Sequence, residues 1–364
     1  MTNPGFEMQR TLCPALALLA ALSMSAIAAH GQSKESRFSS DDLQVKVTQA
    51  DRDAVGSVVQ NSAHPSFART PAGIAARNQA SHARNDGAAT STEDVVGKGW
   101  SLSPGDVHYQ GGMVLQQAVS HAVYVNPGVA CTIANCWGNP EGFLIDLSNS
   151  DFIHLLDEYT GATGNRRYTV GARAVVTDAL SSNTLYESDL LAILHNLVTS
   201  TGEAGYGNIY HLFLPPGVDT CFDPPYDTEC YSPDNPATYY FCAYHDYVTF
   251  TDLGLHVVFT VEPWQGAAGC VGSPRGAPNG QLADSTNQAL NHELFETISD
   301  PDDAGWLNHF NDYLYYTEIA DECQFVDSGG HQSEPTFRIN GKLYRVQSIY
   351  SNRKHACSIS PRDF

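Results

Sequence analysis

Positive charge is scarce in this sequence. Lys and Arg number 19 against 40 Asp and Glu, a formal net charge of −21 over 364 residues. A chain that acidic repels phosphate backbones and anionic lipid, so nucleic acid and membrane surfaces are excluded as expected partners. Long apolar runs are also lacking: beyond the first thirty residues no stretch approaches the ~20 residues that a membrane-spanning helix needs. No two cysteines have the C-x-x-C spacing of a zinc ribbon. There is no G-x-S-x-G elbow and no G-x-x-x-x-G-K loop, so serine-hydrolase and nucleotide chemistry lack their signatures. Tryptophan and tyrosine are absent before Trp100.

That last absence divides the chain. Residues 1–29 read as a signal peptide: Arg10 precedes the apolar run Thr11–Ala29, and Ala26-Ile27-Ala28 offers a small-x-small cleavage site. The expected location is therefore secreted, extracellular or periplasmic, with no membrane attachment after cleavage. Residues 30–97 hold no Trp, Tyr or Cys and only two Phe, Phe38 and Phe67. Such a segment buries little area against its ordering entropy and reads as a low-complexity linker or a propeptide. The folded domain is expected over 98–364. It carries 31 acidic and 11 basic residues, nearly all of the excess negative charge. Solubility explains that excess, and so does attraction of divalent cations.

Beyond Cys13, eight cysteines remain: Cys131, Cys136, Cys221, Cys230, Cys242, Cys270, Cys323 and Cys357. An even count in an exported chain predicts disulfides. Proximity along the chain suggests Cys131–Cys136 and Cys221–Cys230 as loop staples, with Cys242–Cys270 and Cys323–Cys357 as longer closures.

Strand-like runs at 114–125, 168–177, 208–214 and 248–261 alternate with helix-like spacing at 150–159 and at 188–201, the latter with a Ser cap and Gly202 beyond it. The order predicts an α/β (α+β) mixed sheet with helices. Asn340-Gly341 between β-prone runs predicts a hairpin over 337–346. Residues 281–300 contain neither Gly nor Pro, and Ser285-Thr286-Asn287-Gln288 has the form of a capping box, so a helix is expected over 286–299.

Inside that helix stands His292-Glu293-Leu294-Phe295-Glu296. Leu290, Leu294 and Ile298 form one stripe, while His292 and Glu296 lie one turn apart roughly opposite it. An imidazole and a carboxylate on one face can reach one ion, the logic of H-E-x-x-H with Glu in place of the second His. Glu318 lies 22 residues beyond Glu296 and is expected as the third ligand. Asp321 is expected to accept the other N–H of His292 or to act as an alternative ligand, and Asp300 and Asp302 are rivals. Zinc is the expected ion and calcium the alternative. Glu293 would be the general base toward a metal-activated water. Tyr313, Tyr315, Tyr316, His309 and His245 are candidate donors to a developing oxyanion. The bland alternative is a solvated acidic helix face with an ordinary exposed His. These residues together predict a zincin-like, disulfide-stapled hydrolase acting on a peptide or protein substrate. A non-catalytic extracellular or cell-wall binding protein with a structural metal site is the alternative.

Several short motifs resemble the phosphate-induced protein 1, or EXORDIUM-like, family. They are Tyr109-Gln110-Gly111-Gly112-Met113-Val114-Leu115, Phe241-Cys242-Ala243-Tyr244-His245, Ala277-Pro278-Asn279-Gly280, and Asn340-Gly341 through Cys357. The stretch His292–Pro301 is similar to bacterial members with S-H-E-x-x-E-x-x-T-D-P, usually described as peptidases; plant members carry apolar and small residues there. The resemblance implies export and a shared domain over roughly 105–357.

Overall fold

The computed structural model describes residues 42–60, 66–69, 106–127, 131–177, 183–308, 317–324 and 335–362. The expected signal peptide lies outside them. Along the chain the strands are β1 (Leu43–Lys46), β2 (Val59–Gln60), β3 (Ser66–Arg69), β4 (His108–Tyr109), β5 (Ala118–Val125), β6 (Tyr168–Val170), β7 (Ala174–Thr177), β8 (Thr184–Tyr186), β9 (Asn208–Phe213), β10 (Asp219–Cys221), β11 (Cys230–Tyr231), β12 (Phe241–Phe250), β13 (Leu255–Glu262), β14 (Trp306–Leu307), β15 (Thr336–Ile339), β16 (Lys342–Arg345), β17 (Ile349–Ser351) and β18 (Ala356–Ser358). The helices are α1 (Gln49–Val55), α2 (Ile133–Cys136), α3 (Pro140–Ser148), α4 (Asp157–Thr160), α5 (Glu187–Thr201) and α6 (Gln281–Ser299). No helix among the described residues is long and apolar enough to cross a membrane.

Among the described residues nine strands form a central mixed sheet in the order β1-β7-β5-β9-β13-β12-β2, with β6 also on β5 and β3 also on β12. From β1 to β13 the neighbours are parallel; β12 runs antiparallel to β13, joined to it by the tight turn at 251–254. The expected mixed α/β class is thus the observed one.

Alternation along the strands sends side chains into two cores, one on each face. On one face Val123, Val125, Leu212, Val257, Phe259 and Val261 pack with the apolar side of α5. On the other, Ala122, Tyr124, Ile209 and Phe213 pack with Phe143 of α3 and with Leu290, Leu294, Phe295 and Ile298 of α6. The stripe read from the sequence therefore does bury against the sheet. All four expected cysteine pairs are within disulfide distance: Cys131–Cys136, Cys221–Cys230, Cys242–Cys270 and Cys323–Cys357.

Two readings need correction. The segment 30–97 reads as lying outside the fold, yet its described parts are woven into it. β1 pairs in parallel with β7, α1 packs on α5, and β2 and β3 pair with β12. Backbone pairing asks little of side chains, so a composition poor in aromatics can still supply edge strands. The helix expected from 286 begins at Gln281, with Gly280 in a left-handed conformation (φ 94°) at its start. Ser285 is not a cap: its hydroxyl donates to Gln281 O (2.6 Å) and accepts from Gly272 N (2.9 Å). In the Tyr109-Gln110-Gly111-Gly112 motif, Gly111 takes a positive φ (97°) and Gly112 serves close packing. Gly112 N donates to Ala304 O (2.6 Å), and a Cβ on Gly112 would fall 2.4 Å from that same oxygen.

Candidate metal centre

Helix α6 is buried along nearly its whole length, on both its apolar and its polar side. His292, Glu293 and Glu296 are each 0% exposed. This rules out a solvated acidic face. The polar side of α6 instead meets a polar patch on the sheet. His245 of β12, Thr260 and Glu262 of β13, and His211 of β9 are all buried. His211 Nδ1 is paired with Thr260 Oγ1 (2.9 Å), and that hydroxyl donates to Glu262 Oε1 (2.9 Å). Burial, aided by His121, pushes His211 down to about 3, so it is neutral.

The second wall is the segment 317–324, which the fold fixes at several points. Tyr350 N donates to Ile319 O (2.8 Å), Gln347 Nε2 donates to Ala320 O (2.8 Å), and Cys323 is bonded to Cys357. Ala320 N and Asp321 N both donate to Glu296 Oε1, at 3.2 and 2.8 Å. Those two bonds occupy one carboxylate oxygen and leave the other, Oε2, facing His292 Nε2 at 3.0 Å. Neither His292 Nε2 nor Glu296 Oε2 has an aligned hydrogen-bond partner among the described residues. Asp321 Oδ1 lies 3.6 Å from the same imidazole nitrogen.

Among the described residues two overlapping donor sets result, each with its three ligand atoms within 4.8 Å of one another: His292, Glu296 and Asp321, and His245, Glu296 and Glu318. Glu296 belongs to both. His245 Nδ1 stands 3.4 Å from Glu293 Oε2 and 3.9 Å from Glu296 Oε2; its Nε2 is 3.7 Å from Glu318 Oε1 and donates to Asp300 O (3.1 Å). The sequence offered His245 as an oxyanion donor only. The structure brings it into the cluster, from a strand 47 positions ahead of His292, and no local spacing signals that. The other oxyanion candidates, Tyr313, Tyr315, Tyr316 and His309, lie outside the described residues.

Of the two roles expected of Asp321, orienting partner or alternative ligand, its position fits the second. The residue at His292 Nδ1 is Gln347, whose Oε1 is 3.1 Å away, so Asp321 sits on the ligand side of the ring instead. Asp300 turns the other way: its Oδ1 accepts from Gly305 N (2.6 Å) and closes the turn after α6. Asp302 accepts from Tyr206 (2.9 Å).

Electrostatics favour a cation. Burial alone would lower both imidazoles, but the carboxylates beside them outweigh it. Glu296, Glu293 and Asp321 lift His292 to about 10, and chiefly Glu293 and Glu296 lift His245 to about 9. Burial raises Glu293 and, further, Glu262. Four carboxylates, of Glu293, Glu296, Glu318 and Asp321, surround two imidazoles. Acids outnumber imidazoles in this buried cluster, an excess that a divalent cation would offset. The buried, unbonded His292 Nε2 and Glu296 Oε2 fit that role. Comparison with known protein families, curated proteins and solved structures finds no match for this chain.

Proposed function

We propose that this chain is an exported, zinc-dependent hydrolase of peptide bonds with a zincin-like site. The observation that carries the reading is the convergence of His292 Nε2, Glu296 Oε2 and Asp321 Oδ1, with Glu293 next to His292 on the same helix. His292 and Glu296 would hold the ion, with Asp321 or Glu318 as the third ligand. The sheet order supports the architecture, since α6 follows a run of parallel strands that ends in the antiparallel β12. The short motifs that resemble the bacterial EXORDIUM-like proteins agree with it.

A zinc ion bound there supplies Lewis acidity that makes water nucleophilic near neutral pH. Glu293 would take the proton at a carboxylate oxygen, and its burial keeps its basicity above that of an ordinary Glu. His245 Nδ1, facing that carboxylate, would orient it and steady its charge. Gln347 would hold the imidazole of His292 by its Nδ1 proton, leaving Nε2 for the ion.

One observation favours a second reading, a structural cation in a non-catalytic extracellular binding protein: every side chain of the cluster is closed to solvent. Metal analysis and a Glu293→Gln variant separate the two. The hydrolase reading expects about one zinc per chain in both forms, and hydrolysis of unfolded protein that drops ~10²–10⁴-fold in the variant. Stoichiometric zinc without hydrolysis in the wild type would establish the structural reading instead.

A further inference from the structure

Strand β12 is the last strand of the sheet contributed by the residues after Trp100. Its outer edge is taken by strands from the first seventy residues. β2 pairs at the far end, Val59 opposite Phe250 and Gln60 opposite Thr249. β3 pairs at the near end, with Ser66 opposite His245, Phe67 opposite Tyr244, Ala68 opposite Ala243 and Arg69 opposite Phe241. The run that β3 covers thus begins at the register position of His245, a member of the metal cluster. β3 also lies against α6, the helix that carries His292 and Glu296.

An edge strand offers a row of backbone N–H and C=O groups to any extended chain, and peptides recognised by strand addition bind to such an edge. The edge of β12 is built firmly. Its register shifts between Phe241 and Ala243, which leaves Cys242 without an opposite residue. That residue is fixed by its disulfide to Cys270 and by Gln265 Nε2, which donates to Cys242 O (2.8 Å). Bulges of this kind end or re-aim pairing beside functional sites.

We infer that the edge of β12 from Phe241 to His245 is the docking edge for an extended peptide, and that residues 66–69 are its intramolecular occupant. The inference rests on the hydrolase reading for its consequence: β3 holds the place of a substrate backbone beside the cluster and restrains activity. The edge itself, as a peptide-binding surface, can be tested apart from catalysis.

Neighbouring residues of a strand point their N–H groups in opposite directions, so either Phe67→Pro or Ala68→Pro removes a rung facing β12. In full-length protein with each substitution, amide exchange at 241–245 is measured together with anisotropy of a labelled synthetic peptide of residues 63–72. One of the two variants is expected to show faster exchange along 241–245 and to bind the peptide, while the wild type does neither. In that variant hydrolysis of a short unstructured peptide rises at least several-fold over the wild type at equal zinc content, and the added peptide suppresses it. If 241–245 becomes exchangeable yet no peptide binds, or if neither variant loosens the edge, the docking edge is refuted. Peptide binding with zinc bound and no hydrolysis in any form would leave the edge standing and sink the hydrolase reading alone.

Discussion

Gln347 Oε1 accepts the Nδ1 proton of His292 at 3.1 Å while Gln347 Nε2 donates to Ala320 O, so one amide holds both the helix ligand and the wall that carries Asp321. Its backbone is fixed in turn: Gln347 N donates to Asn291 Oδ1 (2.9 Å), and Asn291 Nδ2 returns a bond to Gln347 O (3.2 Å). Partners of this kind set the tautomer of a ligating imidazole, and losing one costs about 10–100-fold in metal affinity. Gln347→Leu is expected to weaken zinc binding by that factor in a chelator competition, with the far-ultraviolet spectrum unchanged. Gln347→Glu, which keeps the acceptor, is expected to lose less. Equal affinity in wild type and the Leu variant would remove the orienting role.

The two donor sets can be told apart by their private members. Glu296→Gln strikes both and is expected to abolish stoichiometric zinc. Because Asp321 shares His292 Nε2 with Glu296, Asp321→Asn is expected to reduce affinity more than Glu318→Gln. The opposite ranking, measured by the same competition, would place the ion on His245 and Glu318.

Proton linkage gives a third test. In metal-free protein His292 is lifted from 6.5 to about 10 and His245 to about 9. Groups whose folded pKa is raised contribute stability that is complete below the unfolded value and is lost as pH climbs through the folded one. Chelator-treated protein is therefore expected to melt at progressively lower temperature from pH 6.5 toward pH 10, more steeply than the zinc-loaded form. Zinc uptake at pH 7 must also displace the proton on His292 Nε2, and pH-stat titration should record that release. Parallel melting curves for the two forms would contradict the assignment.

The Cys323–Cys357 bond closes a loop of 34 residues and pins the Asp321 wall to β18. Loop-closure entropy assigns such a bond about 3–4 kcal/mol. A Cys323→Ser/Cys357→Ser variant is expected to lose roughly that much stability in urea melts and also to bind zinc more weakly. Lost stability with unchanged affinity would show that the remaining bonds position the wall unaided.

Local chemistry was legible where it was decided locally. Asn340-Gly341 does turn β15 into β16, both residues at positive φ (47° and 83°), and the four cysteine pairs follow their proximity along the chain. His292, Glu293 and Glu296 could be picked out because four residues on a helix make one turn. Contributions that cross the chain were not legible. His245, Gln347 and the strands at 43–69 reach the centre or the sheet only through tertiary pairing, and nothing in their immediate neighbours encodes that. The start of α6 was misplaced because Gly280 and Asp284 mark it in place of the Ser285 pattern. Asp284 accepts from Asn279 N and Nδ2 (2.9 and 2.8 Å) and from Arg345 N (3.2 Å), the last a partner that the sequence does not bring near.

The strands at 43–69 also bear on how the molecule is assembled. β1 finds its partner about 130 positions later, β3 about 175 positions later and β2 about 190 positions later. They are the first strands of the sheet to be synthesised, and β2 and β3 wait longest for a partner. Such long separations slow folding and leave edges open to wrong partners meanwhile. Until β12 exists, β2 and β3 have no ladder to join, so that edge of the sheet closes only after the tight turn at 251–254 has formed. A truncated chain ending before Phe250 should therefore aggregate through that unmatched N-terminal stretch.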